Sequence, residues 1–251
     1  MRIVLIAGVS CLIFTCFQSC DYVEALYRDG SYIETEVWLE EFNSISVETP
    51  VQLILDQTTE QYTYISGLDF IVNDLTFTVE NNTLFIESNG YTYSRIDQMA
   101  KVHLPVKVLD RITLNAPTHL HSMNELILDK FVLVINGKGT YSESNLQMHC
   151  QSFSIAAYGE NSSTHHLLGS TEYLGMTMEG LAWTDASLLN ASQVTINQRS
   201  LKSSYVKASD RLIVNMYSSG DVFFTGQPTL EYLTFDPGWD VDFGNAISQN
   251  D

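Results

Sequence analysis

Apolar and polar residues alternate in short stretches along most of the chain. In the first half the alternation runs through residues 45–47, 51–55, 75–79 and 84–86, and an Asn-Asn pair at 81–82 separates the last two. Adjacent residues of a β-strand point to opposite sides of the sheet, so each stretch carries one apolar face. Long segments with apolar residues at helical spacing are nearly absent. The pattern predicts an all-β protein.

The alternating stretches of the second half repeat with a period close to twenty residues. Six apolar positions, taken as equivalent, recur at intervals of 18 to 21 residues: Ile112, Val132, Phe153, Leu174, Val194 and Leu212. A second set of positions, located at predicted turns, recurs at intervals of 19 to 22 residues: Ala116, Gly137, Gly159, Gly180, Leu201 and Gly220. Because two independent landmarks share one period, the chain contains an internal repeat.

A strand-rich repeat of about 20 residues with glycine at one corner is typical of one turn of a parallel β-helix. One turn is too short to bury its own apolar face, so successive turns must stack on one another. The positions expected to point inward and to form ladders through the stack are Ile112, Leu114, Val132, Val134, Phe153, Ile155, Val194, Ile196, Leu212 and Val214. The alternative architecture is a β-sandwich, in which two antiparallel sheets face each other.

Irregular segments flank the repeats. Residues 20–40 are acidic and weakly patterned, and we interpret them as a tether that leads into a domain spanning residues 41–240. Within that domain the stretch after Gly226 is predicted to cap one end of the stack, because exposed edge strands must be covered. Residues 41–108 are either the cap of the other end or degenerate turns of the same helix. Residues 241–251 are predicted to form a polar tail.

The chain begins with an apolar segment that has the features of a signal peptide. Arg2 precedes a run of fifteen mostly apolar residues, 3–17, which is shorter than the roughly 20 residues that a membrane-spanning helix needs. Two short polar residues and Cys20 follow, an order that resembles the lipobox of bacterial lipoproteins. The resemblance implies that residues 1–19 are removed and that a lipid on Cys20 anchors the protein to a membrane. The alternatives are a secretory signal without lipidation and an uncleaved anchor.

Cysteine usage and charge narrow the range of partners. Cys11 and Cys16 would leave with the signal peptide, so Cys150 would be the one free thiol and no internal disulfide is expected. The alternation around Cys150 predicts that this thiol is buried and inert. The formal net charge is −18, from 30 acidic and 12 basic residues. Such a surface repels phosphate groups, which argues against nucleic acid and against anionic lipid headgroups as partners.

Carboxylates and histidines are the candidates for metal binding. Asp236, Asp240 and Asp242 lie in the segment DPGWDVD, and carboxylate oxygens are the ligands that a hard cation such as Ca²⁺ prefers. The alternative for this segment is a solvated acidic loop. His119 and His121 would share one face of a strand, but a zinc site needs three or four ligands. We therefore expect these two to be ordinary surface histidines.

The sequence contains no motif of a known catalytic site. A Gly-x-Ser-x-Gly elbow, a phosphate-binding loop and a zinc-protease motif are all absent. Basic residues are too few and too scattered to bind a polyanion. We therefore predict neither catalytic residues nor a cofactor. The alternative is a carbohydrate-active β-helix enzyme, such as a polysaccharide lyase or hydrolase, which would need clustered carboxylates and a cation site in a groove.

Four aromatic residues are candidates for ligand binding. Tyr158, Trp183 and Tyr217 adjoin predicted corners, and Trp239 lies in the predicted C-terminal cap. If several of them are exposed on one side of the stack, they could stack on sugar rings or anchor a protein partner. The alternative is that these large side chains only cover the ends of the stack.

Three segments follow one another in an order that resembles a known family. They are EEFNSISV at 40–47, HLPVKVLDRI at 103–112 and SSGDVFFTGQP at 218–228. The chain resembles the head GIN domain family of bacterial proteins over residues 30–239. Members of this family are labelled auto-transporter adhesins, and many are lipoproteins. The resemblance implies a right-handed β-helix, a location in the cell envelope and no established enzymatic activity.

From these observations we expect an envelope-anchored lipoprotein that is not an enzyme. Its function would be that of a binding or adhesin-like module with a glycan or protein ligand, or that of a scaffold. The stacked turns would present a rigid lateral surface, and the aromatic residues are the candidates for ligand contacts. A carbohydrate-active enzyme is the first alternative, and a structural envelope protein without a soluble ligand is the second.

Overall fold

The computed structural model describes residues 29–58, 62–89, 98–235, 238, 240 and 242–250. The predicted signal peptide, Cys20, Asp236 and Trp239 lie outside these residues. In this part of the chain, helical structure consists of α1, Asp69–Val72, a 3-10 turn at Gly137–Gly139 and the single 3-10 residue Gln98. None of the described helical segments is long and apolar enough to cross a membrane.

Seventeen strands, numbered in chain order, account for most of the described residues. They are β1 Tyr32–Trp38, β2 Ser44–Val47, β3 Val51–Asp56, β4 Tyr62–Leu68, β5 Leu75–Glu80, β6 Thr83–Ser88, β7 Lys101–Pro105, β8 Arg111–Leu114, β9 Thr118–Ser122, β10 Leu126–Ile135, β11 Glu143–Ala157, β12 Thr164–Gly180, β13 Trp183–Ser200, β14 Ser204–Met216, β15 Val222–Thr225, β16 Thr229–Thr234 and β17 Ala246–Ser248. The prediction of an all-β protein is confirmed.

The strands stack in parallel into two continuous faces, which we call face A and face B. Face A consists, in spatial order, of β6, β2, β8, the second halves of β10 to β14, and β16. Face B consists of β7, β3, β9, the first halves of β11 to β14, β15 and β17. The helix has about six turns of about 21 residues. The predicted parallel β-helix is therefore confirmed.

The interior of face A holds a ladder of apolar side chains. Four of the predicted equivalent residues pair in register from strand to strand and are at most 1% exposed: Phe153, Leu174, Val194 and Leu212. Of the ten residues predicted to point inward, every one except Val132 is buried. This ladder is the core of the molecule. Its apolar residues recur once per turn, and this recurrence makes the repeat detectable in the sequence.

One part of the predicted ladder is displaced by one position. Phe131, rather than Val132, pairs with Phe153, and the two phenyl rings stack with their centroids 5.4 Å apart. Ile112 pairs with Leu133 and Leu114 with Ile135, so the predicted inward residues Val132 and Val134 lie on the opposite side of the strand. Val132 is partly exposed there, and Val134 is 7% exposed. The sequence misleads here because five consecutive apolar residues begin at Phe131. Such a run has no alternation from which the inward side of the strand can be read.

The turn that comes first in the sequence, formed by β2 and β3, is not the first turn of the stack. β2 lies between β6 and β8, and β3 lies between β7 and β9. Residues 41–108, predicted to be either a cap or degenerate turns, supply both. They contain two turns stacked out of chain order and the cap strands β4 and β5. β4 pairs antiparallel with β7 and with β1, which lies before residue 41, and β5 pairs antiparallel with β6. A spacing analysis misses this exchange because it assumes that consecutive turns are spatial neighbours.

Two segments that the sequence places outside the folded domain contain strands. Residues 32–38, within the predicted tether of 20–40, form β1, which pairs with β4. Residues 246–248, within the predicted polar tail of 241–251, form β17, which pairs with β15. The two predictions are wrong at these strands. Both strands are edges with exposed or partly buried side chains, so their sequences lack a clear apolar face.

Glycine is required at two of the predicted corners. Gly180 has a φ of 65°, and a Cβ atom there would lie 2.7 Å from the backbone nitrogen of Asn161. A Cβ atom at Gly220 would lie 2.2 Å from the carbonyl oxygen of Lys202. These corners therefore bring neighbouring turns closer together than a larger residue would allow.

Candidate functional site

An aromatic row crosses four neighbouring strands on the outer side of face B. The row consists of His166 on β12, Trp183 on β13, Tyr205 on β14 and Phe223 on β15. The centroid distances between neighbouring rings, in that order, are 5.1, 6.0 and 5.0 Å. These distances are close to the spacing of about 4.8 Å between stacked strands. The backbone spacing therefore keeps each ring in contact with the next.

Parallel register explains how the row forms. Tyr205 pairs directly with Phe223, and the two ring planes differ by 14°. Trp183 lies two residues before Asp185, which is the register partner of Tyr205. The indole therefore reaches the tyrosine diagonally, as large aromatic side chains do between neighbouring strands. His166 is exposed and the other three rings are partly exposed, so the row presents a ring-lined strip about 14 Å long to solvent.

One row of side chains on the inner side of face B is polar. An inner polar row of four residues, all 0% exposed, follows the register of consecutive strands: Ser144, His165, Thr184 and Ser204. The hydroxyl of Ser204 donates a hydrogen bond to Oε1 of Gln198 at 3.0 Å. In contrast, Oγ of Ser144 has no hydrogen-bond partner among the described residues.

His165 is the one titratable member of the inner polar row. Its Nε2 lies 2.8 Å from Oγ of Ser163, and its Nδ1 has no hydrogen-bond partner in the described ranges. Burial, with a further contribution from the neighbouring His166, lowers the pKa of His165 to about 3. The imidazole is therefore neutral at physiological pH. His165 is buried and its neighbour His166 is exposed, because adjacent residues of a strand point to opposite sides.

A second set of side chains lies at the end of face A, where the chain turns towards face B. This corner column consists of Tyr158, Glu179, Arg199, Tyr217 and Phe235. The guanidinium carbon of Arg199 lies 3.9 Å from the centroid of the Tyr217 ring, which stacks on Phe235 at 4.6 Å. The backbone N–H of Gly159 donates a hydrogen bond to Oε2 of Glu179 at 2.7 Å. The column thus places two adjacent charged residues between aromatic groups, with a cation–π contact between Arg199 and Tyr217.

The four predicted aromatic ligand-binding residues do not form one cluster. Trp183 belongs to the aromatic row, whereas Tyr158 and Tyr217 belong to the corner column, and Trp239 lies outside the described residues. The prediction missed Tyr205 and Phe223. A signal for them exists, because Trp183, Tyr205 and Phe223 recur at intervals of 22 and 18 residues, close to the repeat period.

The predicted cation ligands are only partly described. Asp240 and Asp242 are exposed, and Asp236 lies outside the described residues. Across the described ranges, no group of three or more histidine, cysteine, aspartate or glutamate side chains is arranged to hold a metal ion. A cation bound by these three aspartates therefore stays a prediction.

The histidines of β9 face the outer side of face B, next to the N-terminal cap. Nδ1 of His119 lies 3.5 Å from Oε2 of Glu143. Ile54 on β3 pairs with His103 on β7 and with His121 on β9, so it lies between these two histidines. Burial lowers the pKa of His121, and the nearby His103, His119 and Lys101 lower it further. Cationic neighbours disfavour a charged imidazole.

A groove lies at the edge of the N-terminal cap. It has a volume of about 540 Å³ and an open mouth, and the loop before β2 and the loop after β7 form its walls. Its lining is mixed: six residues are apolar, namely Trp38, Leu39, Phe42, Pro105, Val106 and Val108, and Asn43, Thr63 and Asn82 are polar. Glu40, Glu41 and Lys107 add charged groups at the same place.

Comparison with known proteins agrees with the architecture. The profile of the family described as "putative auto-transporter adhesin, head GIN domain" matches residues 41–228. No curated protein matches the chain in sequence. The crystal structure of a putative adhesin from Bacteroides fragilis is similar, with a TM-score of 0.73 and 19% sequence identity over 88% of this chain and 97% of that chain.

Two crystal structures from Parabacteroides distasonis are similar as well. One is described as a putative adhesin, with a TM-score of 0.64 and 13% identity over 88% of this chain and 98% of that chain. The other is described as a putative lipid binding protein, with a TM-score of 0.62 and 14% identity over 87% of this chain and 98% of that chain. At these identities the structures support the fold alone. Since the family profile covers most of the sequence, the chain belongs to the head GIN domain family.

Proposed function

We propose that this protein is a non-enzymatic binding module of the bacterial cell envelope, which contacts its ligand through the aromatic row. The observation that carries the proposal is the stack of His166, Trp183, Tyr205 and Phe223 on the outside of face B. Membership of a family described as adhesins supports an envelope location and a role in binding. The neighbouring strands are hydrogen-bonded along their length, so the rings are held in place before a ligand arrives.

The chemistry of the row favours a ligand with flat apolar surfaces and polar edges. The faces of sugar rings have this character, and so do aromatic side chains of a protein partner. The formal net charge of −18 disfavours polyanionic ligands. We therefore propose a neutral glycan or a protein as the ligand class.

Binding assays on the row test this proposal. A glycan array and a pull-down from envelope extracts would compare the parent with the double variant Trp183→Ala, Tyr205→Ala. We expect affinity to fall by at least about tenfold, because the loss of stacked aromatic anchors removes binding energy. Tyr173→Ala is the matched control, since Tyr173 is 38% exposed but lies on face A. The proposal fails if the parent binds nothing in either assay or if both variants bind as the parent does.

We also propose that a lipid on Cys20 holds the module to a membrane, with residues 1–19 removed as a signal peptide. The lipobox-like order of residues before Cys20 supports this proposal. Cells grown with a fatty-acid analogue should label the parent chain and leave the Cys20→Ser chain unlabelled. Equal labelling of the two chains would overturn the anchor without affecting the ligand-binding proposal.

Lipid binding is a second candidate function, favoured by the groove at the N-terminal cap. A similar structure is described as a putative lipid binding protein, and the apolar lining around Trp38 and Phe42 suits an acyl chain. A fluorescent fatty acid should bind the parent and bind more weakly to Phe42→Glu, while Tyr173→Glu should leave binding unchanged. Absence of saturable binding to the parent would exclude this candidate.

A further inference from the structure

Two polar side chains beside Trp183 have hydrogen-bonding capacity that the protein leaves unused. Oδ1 of Asp185 accepts hydrogen bonds from the backbone N–H of Ser187 at 3.0 Å and from the Ser187 hydroxyl at 2.6 Å. Among the described residues, nothing donates to Oδ2 of Asp185, and neither ring nitrogen of His166 has a hydrogen-bond partner. The bonds from Ser187 hold the carboxylate in one orientation, so Oδ2 is positioned as an acceptor before a ligand arrives.

These side chains belong to a row that continues the aromatic row along the helix axis. The row crosses neighbouring strands of face B, from β11 to β15, in direct register: Asn145, His166, Asp185, Tyr205 and Phe223. Five strands at a spacing of about 4.8 Å make this row about 19 Å long. No single sugar ring or side chain reaches from one end to the other. A ligand that contacts both the polar and the aromatic half is therefore an extended chain.

The polar half of the row offers donors and acceptors side by side. We call it the polar patch, and it consists of Asn145, His166 and Asp185 together with Thr164, the register partner of Trp183. Apart from the two bonds from Ser187, these four side chains make no hydrogen bond to the described part of the chain. The asparagine amide and the threonine hydroxyl both donate and accept, whereas the ionised aspartate only accepts.

The mixture of donors and acceptors distinguishes between the two ligand classes. Lysine and arginine side chains of a protein partner carry donors only. Apolar and aromatic side chains would stack on the rings and leave the polar patch without partners. Sugar hydroxyls both donate and accept, so one chain of sugar rings matches the patch and the aromatic rings together.

The charges around the row nearly balance. Glu143 and Asp185 bring two negative charges to these strands, and the exposed Lys207 on β14 brings one positive charge. The chain as a whole carries a formal net charge of −18. An uncharged ligand therefore meets a weak local field at the row, whereas a chain of uronic acids would be repelled by the whole protein.

We propose that the ligand of the aromatic row is a neutral oligosaccharide that lies along the helix axis. Its sugar rings stack on Trp183 and Tyr205, and its hydroxyls bond to His166 and Asp185 further along the strands. Asp185 favours a hydroxyl-rich ligand, because a hydrogen bond from a hydroxyl to a carboxylate is about twice as strong as one between neutral groups. This inference rests on the proposed function, since it assigns a ligand and further contact residues to the same row.

A glycan array followed by titration calorimetry tests the inference. The array would carry neutral glucans, mannans, xylans and N-acetylglucosamine oligomers, each in several chain lengths, with uronic-acid chains for comparison. The full chain would be kept in a detergent without a sugar headgroup, because such a headgroup would compete. We expect at least one neutral series to bind, with an affinity that rises with chain length and is far weaker for the monosaccharide.

Matched variants assign the contacts. Asp185→Asn keeps the oxygen that Ser187 contacts but removes the charge, so the affinity for the best oligomer should fall by at least about tenfold. Asp129→Asn removes the same charge from an exposed residue of β10, which is not part of face B, and should bind as the parent does. Asn145→Ala, at the far end of the polar patch, should weaken the longest oligomer by about fivefold through the loss of one hydrogen bond.

The outcomes separate this inference from the proposed function. Parent-like affinity of Asp185→Asn or of Asn145→Ala, equal affinity for the monosaccharide and the longest oligomer, or tighter binding of uronic-acid chains would each overturn the neutral, lengthwise oligosaccharide. Capture of a protein with no glycan bound would also overturn it. In all these cases the proposed function stands if the double variant Trp183→Ala, Tyr205→Ala still loses the binding. A parent that binds neither a glycan nor a protein would defeat both.

Discussion

The interior of face A and one row of inward positions at the beginning of face B differ in polarity. Inside face A, Phe153, Leu174 and their register partners form an apolar ladder. Inside the beginning of face B, the equivalent positions are the inner polar row, whereas the outer side carries the aromatic row. The comparison shows that register and backbone pairing build the helix on both faces. Apolar side chains fill the interior of face A, whereas the interior of face B combines one polar row with buried apolar residues such as Leu146, Leu167 and Val206.

The placement of polar side chains inside and aromatic rings outside face B is relevant to function. Rings that could fill the interior instead lie outside, where Trp183, Tyr205 and Phe223 remain partly exposed. Small hydroxyl side chains take their place inside, and each needs a hydrogen bond to offset the loss of water. An arrangement that gives up apolar packing along one inner row is consistent with selection for the outer surface at that row rather than for stability.

The largest expected effect comes from the apolar side of the comparison. Phe153→Ala should lower the free energy of unfolding by about 3–5 kcal/mol, because it opens a cavity beside the ring of Phe131 and leaves the ladder unfilled. Urea denaturation followed by circular dichroism would measure the change. Val132→Ala, one residue from Phe131 but on the outer side, is the control and should cost less than about 1 kcal/mol. Equal losses would mean that the register assigned to β10 is wrong.

The next effect comes from the polar side and depends on pH. Burial lowers the pKa of His165 to about 3, below the value of 6.5 for an exposed histidine. The unfolded chain therefore binds a proton at higher pH than the folded chain does, so the stability contributed by neutral His165 is complete above about pH 6.5 and is lost as pH falls towards 3. Between pH 6.5 and pH 4 the loss from this residue should be at most about 3 kcal/mol.

Matched variants isolate this contribution from that of the many carboxylates. His165→Gln removes the titrating group, so its stability should fall less between about pH 7 and about pH 4.5 than that of the parent. His166→Gln changes an exposed neighbour and leaves the buried imidazole in place, so its stability should fall over this range more than that of His165→Gln. Identical pH profiles for the parent and His165→Gln would show that this imidazole is hydrated rather than desolvated.

The two faces also explain which features the sequence could predict. The repeat was found through Phe153, Leu174, Val194 and Leu212, since apolar residues at inward positions recur visibly. The inner polar row has no such signature, because Ser144, His165, Thr184 and Ser204 read as surface residues although all are buried. The aromatic row was found at Trp183 only. Its other members become recognisable once the register places them on consecutive strands.

The corners that join the two faces give a smaller, geometric effect. Gly180→Ala should cost about 2 kcal/mol, because a residue with a side chain would adopt a φ of 65° and approach the backbone of Asn161. At Gly137 the nearest atom to an added Cβ is the carbonyl oxygen of Tyr158 at 3.9 Å. Gly137→Ala should therefore change stability by less than about 1 kcal/mol. Thermal unfolding of the two variants would check the difference, and similar losses at both corners would contradict it.

The smallest effect separates two members of the inner polar row. Ser204→Ala should cost about 1–2 kcal/mol, because it removes the hydroxyl that donates to Gln198 and leaves a buried acceptor unpaired. Ser144→Ala should be neutral or slightly stabilising, since its hydroxyl has no hydrogen-bond partner among the described residues. Both serines are 0% exposed and both changes remove one oxygen atom, so burial alone predicts equal effects. The urea midpoints of the two variants, measured side by side, show whether their losses of stability are unequal or equal. A loss at Ser144 as large as that at Ser204 would show that a water molecule bridges Ser144 and His165, which are register partners with one unpaired polar atom each.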